Sequence, residues 1–234
     1  MPNLQQLKSE LGKLADKKQA QILQRFFKTG HGQYGEGDIF LGLTSKQIKE
    51  AAKKYSGINL VEVQKLLNSK IHEERVASLR ILVLKYGQAK DDKAKKQIVD
   101  FYLKNTKNIN NWDLVDLSCP NILGDYLLNK NRQILYKLAK SKNLWEKRIS
   151  VISTFAFIRN KEFGDTLQIS EILLNDKHDL IHKAVGWMLR EAGKRDQKTL
   201  ENFLQKYYKI MPRTMLRYAI EKFSQRKKKF YLGK

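Results

Sequence analysis

Apolar residues recur at intervals of three and four along most of the chain, in LQQLKSELGKLADKKQAQILQRFF (4–27), HEERVASLRILVLKYG (72–87), KQIVDFYLK (96–104) and LWEKRISVISTFAFIRN (144–160). That spacing puts the apolar side chains on one face of an α-helix. No stretch of similar length alternates with period two, so no strand is expected. Helix starts are marked as well: Thr44 precedes SKQIKEAAKKY, Asn143 precedes LWEKR, and Asp176 or Lys177 precedes HDLIHKAVGWMLREAG. Thr, Asn and Asp side chains at such positions accept the unpaired first-turn amides. Of the three prolines, Pro2 is terminal, and Pro120 and Pro212 stand where helices bend or begin. The pattern predicts an all-α fold.

Some of these helices share a layout. Arg75 in SKIHEERVASLRIL, Arg148 in SKNLWEKRISVIST and Lys183 in DKHDLIHKAVGWML each follow a polar start and precede an apolar run. With Trp112 and Arg217 they form a series separated by 37, 36, 35 and 34 residues, the period of a helix-pair repeat. Neither helix of such a pair can bury its apolar face alone, so pairs stack into a HEAT-like solenoid. Residues 1–234 are then one domain ending in a basic tail (224–234). Equivalent positions line one concave face: Arg75, Trp112 with Asp116, Arg148, Lys183 with Trp187, and Arg217. Helices of similar length also give such spacings by chance.

Charge narrows the partner. Lys and Arg number 46 against 24 Asp and Glu, a net charge of +22. That excess points to a polyanion, nucleic acid ahead of anionic membrane, with a generally basic surface as the alternative. The longest apolar run, ISVISTFAFI (149–158), is too short to span a bilayer, and the start MPNLQQLKSE lacks the basic-then-apolar layout of a signal peptide. A cytoplasmic monomer is expected. Cys119, the only cysteine, cannot form an internal disulfide, which suits a reducing compartment.

Cations spaced along such a face can follow a phosphate backbone, and aromatic faces between them can stack on sugars or bases. A carboxylate there repels the same ligand. Asp116, four residues after Trp112 in NNWDLVDLS and on the same helical face, therefore has two readings. In one it forms a salt bridge with Arg148, of small energetic value if exposed. In the other it faces a positive charge that develops on the substrate, as at an anomeric carbon when a glycosidic bond breaks.

The segments YGEGDIFLGL (34–43), NNWDLVDLSCPNILGDYL (110–127), LWEKRISVISTFAFIRNKEF (144–163), DLIHKAVGWMLREAGKRD (179–196) and MPRTMLRYAIEKF (211–223) resemble, in order and spacing, the AlkD-type DNA alkylation repair glycosylases. The most specific parts are the W-x-x-x-D of Trp112 and Asp116, Arg148 after LWEK, and the GW of Gly186 and Trp187. The resemblance implies a HEAT-like solenoid that removes positively charged alkylated purines, such as N7-methylguanine and N3-methyladenine, from duplex DNA without flipping the lesion into a pocket. It implies Asp116 as the catalytic carboxylate, Trp112 and Trp187 as aromatic walls around the deoxyribose, and Arg148 as the arginine accompanying the Asp. Tyr34 matches a further DNA-contacting aromatic, and Arg75, Lys183, Arg213 and Arg217 are the expected DNA-binding cations. No cofactor or metal is expected. The chemistry agrees: a cationic alkylpurine leaves as a neutral base with little acid assistance, and a carboxylate with indole faces stabilises the oxocarbenium character left on the sugar. The alternative is a non-catalytic HEAT-like scaffold that uses the stripe only to dock nucleic acid.

Other constellations carry weaker chemistry. His178 and His182 have helical ligand spacing but neither the Glu of HExxH nor a third ligand, and are expected to be polar or phosphate-facing. GHGQYGEG (30–37) lacks the GK[ST] ending of a nucleotide loop and reads as a mobile loop beside DNA or a connector. Cys119 reads as a small buried residue and Trp145 as core or helix staple. SQRKKKFYLGK (224–234) reads equally as a solvated tail or a non-specific DNA clamp.

Overall fold

Helix follows helix through residues 3–233, which the computed structural model of the protein describes; Met1, Pro2 and Lys234, hence the terminal proline and the last residue of the basic tail, lie outside the described residues. Among the described residues the β-type pairing is an isolated parallel bridge between Ile39 and Ile71. The chain clusters into two compact units, residues 1–118 and 119–234.

The first unit comprises α1 (Leu4–Lys13), α2 (Lys17–Phe26), α3 (Ser45–Lys54), α4 (Leu60–Leu67), α5 (His72–Gln88), α6 (Asp92–Lys104) and α7 (Trp112–Ser118). Its centre is α5, which packs against α3, α4, α6 and α7. From His72 to Leu82 every α5 residue but Arg80 is buried. A helix enclosed on all sides must satisfy its polar residues internally. Glu74 meets Lys8 of α1 at 2.8 Å, and Glu73 accepts from the backbone amides of Leu41, Gly42 and Leu43. Thr44 caps α3 as expected, with a reciprocal bond from Gln47.

The continuous helix expected over 4–27 is two helices. The apolar residues lapse between Ala15 and Ala20, where Asp16 leaves helical geometry and accepts from the amides of Lys18 and Gln19 as the α2 cap. The break is fixed from outside: the Asp16 amide donates to the Leu41 carbonyl at 2.8 Å, and Gly42, at φ +90°, lies so close that a Cβ there would sit 2.1 Å from the Asp16 carbonyl oxygen. Local periodicity does not register a contact with a segment 25 residues away.

The second unit begins with a π-helical turn at Pro120–Gly124 and continues with α8 (Gln133–Ala139), α9 (Leu144–Ser153), α10 (Phe155–Arg159), α11 (Gly164–Ile172), α12 (Asp179–Arg195), α13 (Gln197–Tyr207), α14 (Arg213–Ala219) and α15 (Gln225–Leu232). Here α12 packs on both α9 and α14, while α8 pairs with α9 and α13 with α12. Arg148, Lys183 and Arg217 fall on α9, α12 and α14, so the sequence period corresponds to a row of neighbouring helices. Gly186 permits the α12–α14 approach, since a Cβ there would lie 2.6 Å from the Met215 carbonyl oxygen and 2.5 Å from the Tyr218 Cβ. The fold is an all-α helical repeat.

Boundaries differ in detail. The helix expected over 144–160 is interrupted at Thr154, and His178, rather than Asp176 or Lys177, caps α12 through its ring. Asn143 caps α9 as expected, and Pro212 precedes α14. The basic tail is helical as far as Leu232, with Tyr231 buried against Tyr208 and Phe223. No helix among the described residues is long and apolar enough to cross a membrane.

Candidate active site

The short helix α7 brings Trp112 and Asp116 onto one face, a turn apart and both half-buried. They line a cavity of about 520 Å³ within the first unit, between α2, the 27–44 connection, α3, α5 and α7. Its lining is mostly apolar, with Phe26, Phe27, Phe40 and Trp112 as the aromatic part and Asp113 and Asp116 among the polar side chains.

The aromatic part is a continuous stack. Trp112 lies parallel to Phe27, with centroids 5.1 Å and planes 9° apart, and Phe26 meets the indole edge-on at 5.9 Å. Phe27 stacks on Phe40 at 5.0 Å, and Phe40 stacks on the His72 imidazole at 4.5 Å. Phe26 is 61% exposed, an unusual position for a phenyl ring and one that places it at the cavity's outer edge.

Behind the stack lies a buried charge cluster. His72 Nδ1 is 3.0 Å from Asp38, and its Nε2 is 2.8 Å from Asp113. Arg75 meets the same Asp38 carboxylate at 2.5 Å and donates to Asn110 at 3.0 Å. Asn111, fully buried, donates to Asp38 at 3.4 Å and accepts from the Trp112 amide at 2.8 Å. Burial favours neutral forms of both groups, but bonding to Asp113 and Asp38 outweighs it for His72, whose pKa rises to about 9. For Asp38, bonding to His72 and Arg75 outweighs burial and holds its carboxyl below the usual range. His72 is thus an imidazolium held between the side chains of Asp38 and Asp113.

The expected site residues have distinct surroundings. Arg75 is 6% exposed and engaged with Asp38 and Asn110, so its guanidinium is presented to the interior of the first unit and not to solvent. Tyr34 is half-buried in a loop closed on itself by Glu36, which bonds His31 and the Gly32 amide. In the second unit Arg148 is 5% exposed and donates to the Leu180 carbonyl at 2.6 Å, tying α9 to α12. Trp187 is half-buried with its ring 5.9 Å from Phe155. Lys183 pairs with Asp179 at 2.7 Å, and Arg213 and Arg217 are exposed. His178 accepts from the Leu180 amide and His182 meets the Asp176 carbonyl, so both rings serve the start of α12. Among the described residues no group of three or more His, Cys, Asp or Glu is placed to hold a metal. Cys119 and Trp145 are buried.

Sequence reasoning missed His72, Asp38, Asp113, Phe27 and Phe40. The one signal was His72 itself, a histidine opening an apolar helix three residues before Arg75; its carboxylate partners lie 34 and 41 residues away. Chemically, a carboxylate beside aromatic faces in an apolar recess can stabilise a positive charge held against it, because little water screens the pair.

Comparison with known proteins agrees with this architecture. A solved structure described as a predicted DNA alkylation repair enzyme from Enterococcus faecalis superposes with a TM-score of 0.69 at 11% identity, over 90% of this chain and 97% of that one. At that identity the likeness speaks for the fold. No curated protein matches the chain. The sequence model of the DNA alkylation repair enzymes matches residues 7–223, almost the full length. The protein therefore belongs to the DNA alkylation repair enzyme family.

Proposed function

We propose that the protein is a DNA glycosylase that hydrolyses the N-glycosidic bond of cationic alkylated purines, N7-methylguanine and N3-methyladenine, in duplex DNA. The observation that carries this reading is the placement of Asp116 with Trp112 on the wall of an aromatic recess in a chain of charge +22. A DNA-docking scaffold gains nothing from a carboxylate there, whereas a reaction that leaves positive charge on deoxyribose does.

In this mechanism the cationic base needs no acid to leave. Asp116 faces the anomeric carbon as the bond lengthens, stabilises the oxocarbenium character and orients the attacking water. The indole of Trp112 adds cation–π attraction. Trp187 and Arg148 carry their roles as second aromatic wall and companion arginine from the family resemblance. Lys183, Arg213 and Arg217 contact phosphates, and Tyr34 contacts DNA as a further aromatic. Arg75, enclosed in the first unit, acts through Asp38 and Asn110 instead of touching DNA.

The test is release of N7-methylguanine from methylated duplex DNA by wild type and Asp116→Asn. The variant should lose at least about tenfold in single-turnover rate, roughly 1.4 kcal/mol of barrier. Its affinity for DNA should hold or rise, since a negative charge leaves a phosphate-binding surface. Equal rates for the two proteins would remove Asp116 from the chemistry.

A further inference from the structure

We propose that His72 is the positioning residue of this site: by bridging Asp38 of the 27–44 connection and Asp113 of α7, it fixes the first turn of α7 and with it the Trp112 ring and the Asp116 carboxylate. The inference rests on the glycosylase reading for its functional consequence. Its structural content stands on the geometry alone.

Trp112 is held in three ways, and each leads back to the same cluster. Its amide donates to Asn111, whose side-chain amide reaches Asp38. The next residue, Asp113, receives the His72 Nε2 bond. Its indole face rests on Phe27, which stacks on Phe40, which stacks on the His72 ring. Asp116 follows one turn later on the same helix. A shift of His72 therefore moves both residues assigned to the sugar, through its bonds to Asp38 and Asp113.

The bridge requires a proton count. Only a protonated imidazole has two N–H donors; a neutral ring donates to one carboxylate and turns a lone pair towards the other. The groups facing His72 are Asp38 from the connection, Asp113 from α7 and Arg75 on its own helix, with Phe27 and Phe40 uncharged. Two carboxylates against one guanidinium and one imidazolium sum to zero, the arrangement that low-dielectric burial tolerates. Arg75 Nη2 also lies 3.3 Å from His72 Nδ1. With Asp38 Oδ2 at 2.5 Å from that nitrogen and 3.0 Å from Nδ1, we read both as donors converging on one oxygen. Neither burial nor the N-terminal end of α5 favours a cation; the two carboxylates do.

The pKa of about 9 against an ordinary 6.5 sets the pH window. A raised folded-state pKa means that the bridge contributes fully below the ordinary value and is lost as pH rises through about 9. Trp112 should loosen in the same interval.

Two measurements decide it. In the intact wild-type protein, NMR should show the His72 ring and the Trp112 indole N–H, identified with His72→Gln and Trp112→Phe, moving with one midpoint near 9. A Trp112 signal that stays still while His72 titrates would overturn the proposal. In single-turnover release of N7-methylguanine from pH 7 to 10, with spontaneous release subtracted, the wild-type rate should fall with that midpoint. His72→Gln should be at least about tenfold slower at pH 7 and lack that fall. Its affinity for undamaged duplex should stay within about twofold, because no phosphate contact is lost. A folded His72→Gln with the wild-type rate and pH profile would also overturn it. If wild type releases no base at any pH, the glycosylase reading fails, and the NMR titration still decides whether His72 positions Trp112.

Discussion

Replacing Glu73 by Gln changes one atom type in a buried position, and the structure gives its consequence in detail. Oε1 accepts from the amides of Gly42 at 2.8 Å and Leu43 at 3.2 Å, and Oε2 accepts from Leu41 at 2.9 Å. In the best orientation the glutamine oxygen keeps Gly42 and Leu43, while its NH2 faces the Leu41 amide, donor against donor. The two retained bonds lose their charge assistance, about 1 kcal/mol each, and the Leu41 amide loses an acceptor, about 1–3 kcal/mol if fully dry. Leu41 is half-buried and can recruit water, and a buried charge is no longer desolvated. The net loss should be about 2–3 kcal/mol, roughly 30- to 150-fold in the opening of the loop. Amide hydrogen exchange at Gly42 and Leu43 reads that opening directly. Base release should fall as well, since Phe40 and Leu43 line the recess beside Asp116. Less than a threefold change in protection at those amides would show that Glu73 does not hold the loop by its charge.

The phosphate contacts are read by salt dependence. Arg213→Ala and Arg217→Ala should each flatten the slope of log K against log salt by about 0.9 for any duplex sequence, and binding assays from low to moderate salt would measure it. Lys183→Ala should flatten it less, because Asp179 already pairs with that lysine; an unchanged slope for both arginines would take them off the DNA surface. Lesion charge is a separate test: matched duplexes carrying N7-methylguanine or hypoxanthine should differ by more than about a hundredfold in single-turnover release, since Asp116 and Trp112 do not activate a neutral leaving group. Efficient hypoxanthine excision would reveal an acid elsewhere.

Much of the architecture was legible because helices write their buried face locally. The spacing of three and four found α5 and α9, Thr44 and Asn143 announced two starts, and the 37-to-34 series found three helices that lie in a row. The same series placed Arg75 with the stripe, but spacing could not announce that its guanidinium is buried against Asp38. Repeat spacing identifies equivalent positions, but burial depends on what packs over them. Asp38 comes from a connection with no periodicity, so nothing in the sequence around Arg75 announces its partner. The W-x-x-x-D turn was visible from its spacing, while the recess it faces was not, being assembled from α2, a loop, α3 and α5. Stacked aromatics from residues 27, 40 and 112 leave no short-range signature either.

The contact between Gly42 and Asp16 bears on the order of events as the chain emerges from the ribosome. Within residues 4–27 the local signal for a corner is Asp16, whose side chain caps α2. The corner at Asp16 is also bonded to the Leu41 carbonyl, and the loop holding Leu41 is itself gripped by Glu73 and bridged to Ile71 and His72. Closing these contacts spans tens of residues and must await synthesis of α5. Until then the corner rests on the Asp16 cap, and the wall of the recess that α2 supplies is not fixed in place. The corner that admits a ring beside Trp112 is thus begun locally and completed late, by contacts that depend on residues some sixty positions downstream.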